Sequence, residues 1–571
     1  MSFLLPLLFS NFNMAGKIPT PVALVLLTAI ESFGAITFLP EYAPAKLSVT
    51  IFYALSFNIL LWIVYNVWIW PFFITPLRHL PGPKGGYPIL GHALVPLKRP
   101  PGVDFLRWMA EIPNDGILKF HAFFNEPTLL VTNPTAMADM LQARPYDFQK
   151  SENSRDLLRI IIGEGLLVSE GDMHKFQRKN LLPMFGFRQI KDLYPMMNIK
   201  AETLIESISN KLREDLEKAK DEEQYAGDDT TVIEMNGWAD RSTLDMIGVA
   251  GLGHQFNSLR NSDDVIAKKY FSILEPNPAR LPWFITILLL GKSAVDKLPL
   301  GLNKTMDDAV SSLRGSCWQF LQDRKAQIAK APEEHFDVLA GLIKTNNFSD
   351  DELMDQLLTF LAAGHETTAN TFTWVVHVLA RDPVLQTRLR KEIQGAMPGG
   401  VPNGDLATVL ESLPYLNGVI NETLRMFPVV PLTRRTAIRD SRIGDLHVPK
   451  GTPIEISIWS IHRSPQIWGE GADKFVPERW IDGEAAEDGT KLNGHPNNHG
   501  GTPSVYSMLS FLAGPRSCIG ARFARAELRV LTAQFLLNFE FEPADWEEEI
   551  IPFGIVTIKP QNGLHIKVKK I

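Results

Sequence analysis

From Leu47 to Leu77 the chain carries no charged side chain, and Ile51 to Ile74 is dense in apolar and aromatic residues. About 20 apolar residues span a bilayer as a helix, so this stretch predicts a transmembrane segment. Trp62, Trp68 and Trp70 suit an interfacial belt at its far end. Pro21 to Leu39 is apolar apart from Glu31 and fits a second span, an interfacial helix or a cleaved signal. Leu80-Pro-Gly-Pro-Lys-Gly85 then forms a stiff break. Residues 117 to 132 alternate polar and apolar positions and read as strands. Residues 211 to 229 are Lys-, Glu- and Asp-rich, a solvated face. Trp283 to Leu290 is apolar but too short to cross a membrane. Ser349-Asp-Asp-Glu352 is a capping box that starts a helix running to about Ala380. Residues 436 to 459 read as short strands, and residues 481 to 505 as a surface loop. After Ile519, Ala524, Leu528, Leu531 and Phe535 repeat at helical spacing. The fold expected is mainly α with a small β-rich part, preceded by an N-terminal transmembrane anchor.

The long helix from Ser349 has a weak middle, Ala363-Gly364-His365-Glu366-Thr367-Thr368. A mid-helix glycine costs about 1 kcal/mol against alanine. The Thr367 hydroxyl is expected to bond the Ala363 carbonyl and bend the helix, opening a groove. Such a defect in a strong helix marks a site.

Charge changes the picture little. Lys plus Arg number 57 against 64 Asp plus Glu, which gives no reason to expect a nucleic-acid partner. Arg78, Lys84, Lys98 and Arg99 follow the apolar stretch and put the bulk of the chain on the cytosolic side. Two cysteines cannot build a disulfide framework, which fits a reducing compartment. We expect a membrane-anchor region over 1–78, with a span at about 51–74 and a possible second segment at 21–39, and one catalytic domain over 79–571.

Cys317 has no glycine context and reads as core. Cys518 differs: it sits in Phe511-Leu-Ala-Gly514-Pro-Arg516-Ser-Cys518-Ile-Gly520, just ahead of a helix N-terminus. Free N–H groups there favour a thiolate, and the glycines let the backbone approach a flat ligand. A thiolate held this way suits the axial position of a haem iron. The stretch Phe-x-x-Gly-x-Arg-x-Cys-x-Gly resembles the haem loop of the cytochrome P-450 superfamily (haem-thiolate monooxygenases), matching all five fixed positions.

The resemblance covers nearly the whole chain after the proline-rich break. It implies haem b bound through Cys518, with Phe511, Gly514 and Gly520 shaping the loop. It implies that Arg178, Arg435, Arg516 and His174 face the haem propionates; His174 stands where the family has Trp, which weakens its role. Arg435 fits better than Arg434. By the same resemblance Glu366 relays protons and Thr367 is its alcohol partner, while His365 occupies a variable position. Glu422-x-x-Arg425 and Phe475-Val-Pro-Glu-Arg479-Trp480 resemble two further family motifs, with Trp480 in place of Phe. Glu422, Arg425 and Arg479 would then form a buried structural network, and Trp283 to Leu290 a lid over substrate access. His495 and His499 in the late loop read as solvated rather than metal-binding.

The reaction implied is hydroxylation, epoxidation or another oxidation of a lipophilic small molecule with dioxygen. Electrons would come from a separate NADPH-dependent flavoprotein reductase. The setting implied is the endoplasmic reticulum membrane, and fungal secondary metabolism of terpenoids or polyketides. The alternatives are a fatty-acid or xenobiotic hydroxylase of the same fold, or a haem-thiolate isomerase or dehydratase that needs no reductant. A non-enzymatic haem- or lipid-binding protein would not need both the helix defect and the Cys518 loop.

Overall fold

The computed structural model describes residues 20–38, 40–41, 46–221, 229–260, 263–274, 282–283, 286–287, 292–297, 301–331, 336–483, 494–554 and 556–571. The chain divides into two compact units, residues 1–95 with 112–130, and residues 96–111 with 131–571.

The first unit holds helix α1 (Thr20–Phe38) and helix α2 (Leu47–Val64). The latter continues as a wider π-helix over Tyr65–Ile74, with Pro71 inside it. Leu47–Ile74 is 28 residues long and apolar enough to cross a membrane; Val22–Phe38 is shorter. The stretch expected to alternate forms strands Ile117–His121 and Pro127–Val131. Asn125, between them, donates to the Val67 carbonyl at 3.0 Å and to Pro88 at 2.8 Å, tying the helix end to the turn.

The second unit is mainly helical. Its helices that matter for the site are α3 (Gly171–Leu181), α4 (Met235–Ile247), α5 (Asp350–Gly364), α6 (Glu366–Arg381), α7 (Pro414–Met426) and α8 (Ala521–Asn538). Ser349 caps α5 as the sequence predicts: its hydroxyl accepts from the Glu352 N–H at 3.3 Å, and its own N–H donates to Glu352 at 2.8 Å. Pro428 and Pro431 follow α7, which stops at Met426.

Antiparallel strand pairings flank the helices. Leu432–Ala437 pairs with Pro453–Ser457, Arg435 opposite Ile454, and Phe148 pairs with Ala437 on the other side. His565–Lys570 lies between Phe539–Pro543 and Thr230–Glu234. Strand begins already at Leu432, four residues ahead of the stretch 436–459 expected to hold strands, because Pro453–Ser457 supplies the hydrogen bonds. The late loop begins as a two-residue pairing of Ile481–Asp482 with His495–Pro496; residues 484–493 lie outside the described residues. The described residues include no group of three metal-binding side chains.

One apolar core fills the second unit, with Leu244, Phe372, Leu416 and Leu531 drawn from α4, α6, α7 and α8. Cys317 is fully buried in it, and burial pushes its thiol up to about 12. In α5, Gly364 is required by this packing. A Cβ there would stand 2.6 Å from the Ile247 side chain of α4. We expect Gly364→Ala to lower stability by about 1–3 kcal/mol through overpacking, read as a fall in the thermal melting midpoint of purified protein.

Candidate active site

The loop before α8 is closed on itself. The Cys518 N–H donates to the Phe511 carbonyl at 2.8 Å. Inside this turn Leu512 has φ 53° and Gly514 φ 71°. A Cβ on Gly514 would lie 2.1 Å from the Leu141 carbonyl oxygen, so only glycine fits. Arg178, from α3, braces the loop from outside. It donates to the Ser517 carbonyl at 2.7 Å and to the Ser517 hydroxyl at 3.1 Å. The Arg525 guanidinium sits 5.1 Å from the Phe511 ring centre.

Cys518 itself is exposed, yet burial pushes its thiol above the ordinary value, against the opposing pull of the Gly520 N–H, Arg178 and Arg525. Exposure of a residue that protein surrounds points to open space beside it. Ala363 gives the same sign on α5, exposed between buried Leu361 and buried His365.

Beside the loop lies a buried cluster with a surplus of basic groups. Arg516 pairs with Glu170, both side chains at most 5% exposed. The Lys150 N–H donates to Glu170 at 3.0 Å, and the Lys150 ammonium lies 3.5 Å away. Arg435 is buried and donates to the Thr433 hydroxyl at 2.8 Å and the Arg434 carbonyl at 2.9 Å. Arg434, by contrast, is partly exposed and pairs with Glu455. Burial and its basic neighbours lower Lys150 to about 8 and Arg435 to about 10. Burial alone would raise Glu170, but Lys150 and Arg516 hold its carboxyl below the ordinary range. His174 is buried with Nδ1 3.3 Å from the Tyr146 hydroxyl; burial, then Arg516 and Lys150, lower it to about 4, so it is neutral near pH 7.

Lys150 and Arg516 thus share the Glu170 carboxylate, and Arg435 has no carboxylate in contact, only the fields of Glu170 and Glu455, in a region where unpaired charge costs several kcal/mol. Nε and Nη2 of Arg516 have no hydrogen-bond partner among the described residues. This donor set fits an anion such as a pair of carboxylates. With the exposed Cys518, it fits haem.

The break between α5 and α6 carries the second group. Thr367 donates to the Ala363 carbonyl at 2.9 Å, the bond expected from the sequence. His365 is buried with Nδ1 2.8 Å from the Leu361 carbonyl, and Thr243 of α4 donates to the His365 carbonyl at 3.1 Å. Glu366 accepts from the Thr557 hydroxyl at 2.8 Å. Residues 164–166 pack on α5 ahead of the break. Glu164 and Leu166 N–H groups donate to Asp355 and Gln356 of α5, at 2.8 and 3.2 Å. The Ile558 N–H donates to Val429 at 2.8 Å. Trp283 and Ile287 are buried, with the Trp283 indole donating to Asn303 at 2.7 Å; residues 284–285 and 288–290 of that run lie outside the described residues.

Asp240 of α4 is half-buried and lies in the field of Glu366. Burial pushes it from an ordinary 3.8 up to about 7, with Lys559 opposing and Glu366 and Glu234 adding to the rise. The folded state then holds a proton that the unfolded state has lost, so stability falls as pH rises from about 4 through about 7. We expect Asp240→Asn to flatten that slope, as measured by melting midpoints across the same pH range.

The remaining acid–base motif is structural in its geometry. Glu422 and Arg425 of α7 are fully buried and bidentate, at 2.7 and 2.8 Å. Arg425 also donates to the carbonyls of His462, Ala472 and Lys474. Glu422 accepts from the Val476 N–H and the Trp480 indole, both at 2.9 Å, and Arg479 lies 3.4 Å away. The Trp480 departure therefore adds a donor that phenylalanine lacks. His462, which nothing in the sequence singles out, links this network to the Cys518 loop: its Nδ1 is 2.9 Å from the Arg425 carbonyl, and its Nε2 accepts from the Leu509 N–H at 2.7 Å. Glu170, Lys150 and Tyr146 were missed too, since their partners come from remote segments.

The family model for cytochrome P-450 matches residues 81–567. The chain is 37% identical over 511 residues to the cytochrome P-450 monooxygenase sphH of Aspergillus fumigatus, covering 88% of this chain and 90% of that protein. It is 36% identical over 512 residues to the cytochrome P-450 monooxygenase ptmK of Penicillium ochrochloron, covering 90% and 97%. With the fold mainly helical and the match running over most of its length, this chain belongs to the cytochrome P-450 family and is a monooxygenase.

Proposed function

We propose that the chain is a membrane-anchored monooxygenase of a lipophilic small molecule in fungal secondary metabolism, with a terpenoid or polyketide as the substrate class. The observation that carries the site assignment is the exposed Cys518 together with a buried cluster in which Lys150 and Arg516 share Glu170 and Arg435 touches no carboxylate. Cys518 is the thiolate ligand of haem b. Arg435, Arg516 and Lys150 hold the propionates, and Arg178 holds the loop through Ser517. His174, neutral, is a hydrogen-bonding rather than an ionic partner.

Haem with a thiolate ligand supplies the oxygen-activating redox chemistry. The protein supplies proton control and a dry pocket. The Thr367 proton is committed to the Ala363 carbonyl, which leaves Oγ1 lone pairs free to accept a hydrogen bond in the groove. Glu366, held at Oε1 by Thr557, is the carboxyl that passes protons toward that hydroxyl. Electrons come from a separate NADPH-dependent flavoprotein reductase. The apolar stretch Leu47–Ile74 anchors the enzyme in the endoplasmic reticulum membrane, with the catalytic domain over residues 79–571 in the cytosol.

The test uses membranes containing the full chain, a reductase, NADPH, heavy-isotope dioxygen and a lipophilic extract of the source fungus. One labelled oxygen in an NADPH-dependent product supports the reading. Thr367→Ala should cut that product about 100-fold or more, the scale of a lost proton-transfer group, while Thr367→Ser retains it. A product formed without NADPH and without label would overturn the reading in favour of an isomerase.

A further inference from the structure

In the first unit, α1 and α2 pack along each other with their polarity reversed. The side chains that are buried are polar: Thr28, Ser32, Thr50 and Asn58. The large apolar ones face outward, Ile30 61% exposed, Phe33 71%, Phe52 64% and Leu60 57%. In water this arrangement is upside down, because apolar surface is driven inward. In lipid it is the stable order: tails solvate the apolar faces, and polar groups must find partners inside the pair. The seam supplies them for the Asn58 amide, Thr28 and Glu31. The Asn58 amide donates to the Glu31 carboxylate at 2.7 Å and to the Thr28 hydroxyl at 3.2 Å.

Lengths agree. Helix α1 has 19 residues, which rise about 28 Å, close to a hydrocarbon core of about 30 Å. An acidic side chain inside that core is tolerated where it faces a helix partner with a donor, as Glu31 does. Charge agrees too. Arg78 and Lys84 follow α2, Lys17 precedes α1, and the connector between the helices carries Lys46 with Glu41.

Resting on the membrane-anchored reading above, we infer that α1 and α2 form a hairpin that crosses the bilayer twice, locked by Asn58 on Glu31 and Thr28. The segment before Thr20 and the catalytic domain then lie on the same, cytosolic side. Only the connector between the helices reaches the lumen.

Glycosylation mapping of the full chain in microsomes tests this. One version carries an Asn-Ser-Thr acceptor at the N-terminus. Another carries it in a long Gly/Ser loop inserted after Glu41. The chain also has its own acceptors, Asn303-Lys-Thr305, Asn347-Phe-Ser349 and Asn421-Glu-Thr423; of these Asn347 is exposed and reports the side of the catalytic domain. The hairpin predicts that the connector acceptor alone is modified. Modification of the N-terminal acceptor as well would overturn the hairpin and leave a single-span anchor standing. Release of the protein by alkaline carbonate, or modification of Asn347, would overturn the anchor or its orientation instead. In the N-terminal version, Asn58→Leu removes the donor to Glu31 and should produce a mixed population with part of the N-termini modified. An unchanged pattern would overturn the lock.

Discussion

Arg425→Ala should leave no stable catalytic core. The guanidinium donates to Glu422 twice and to three backbone carbonyls, all away from solvent. Removing it takes the bidentate cation from a fully buried carboxylate, which keeps only the Val476 N–H, the Trp480 indole and the more distant Arg479, and takes the donor from three carbonyls at once. Breaking a buried pair from one side costs about 3–5 kcal/mol, against a total stability of about 5–15 kcal/mol for a folded domain. Arg425→Lys should fare little better, because an ammonium cannot reproduce the planar fork. The measurement is the yield and melting midpoint of detergent-purified protein. A variant that purifies in normal yield and melts within a few degrees of the parent would show that the network contributes little.

Cys518→Ser should do the opposite: keep the fold and lose the reaction. The loop is held by its backbone, through the Cys518 N–H to Phe511 and through Arg178 to Ser517. None of these bonds uses the sulfur. A serine hydroxyl does not donate electron density as a thiolate does. We expect the labelled product to fall to background while the melting midpoint of the apoprotein stays within a few degrees. Product at near-parental rate would rule out the thiolate role.

These two residues also mark how far the sequence can be read. The helix break was legible because its causes are local: a capping box, one glycine, and a threonine four residues after the carbonyl it binds. The Cys518 loop was legible because its glycines and arginine lie within ten residues. The basic cluster was only half visible. Arg516 and Arg435 stood out, but nothing in the sequence singles out Glu170, whose partners Arg516 and Lys150 come from remote segments. His462 is likewise silent in the sequence, since both its partners, Arg425 and Leu509, lie at least 37 residues away. Strands were legible over 436–459, but the start of the first at Leu432 was not, since it is set by pairing with Pro453–Ser457.

The network around Glu422 also carries a consequence for synthesis. Glu422 and Arg425 leave the ribosome together, but the Trp480 indole lies 58 residues later. At about 5–20 residues per second, roughly 3–12 s pass before that donor is made. Until then the pair is incompletely dressed and its helix cannot be sealed into a dry core. The nascent enzyme is therefore most exposed to misassembly and chaperone capture late in translation, when its N-terminal apolar helices are already made and about its last hundred residues are still arriving.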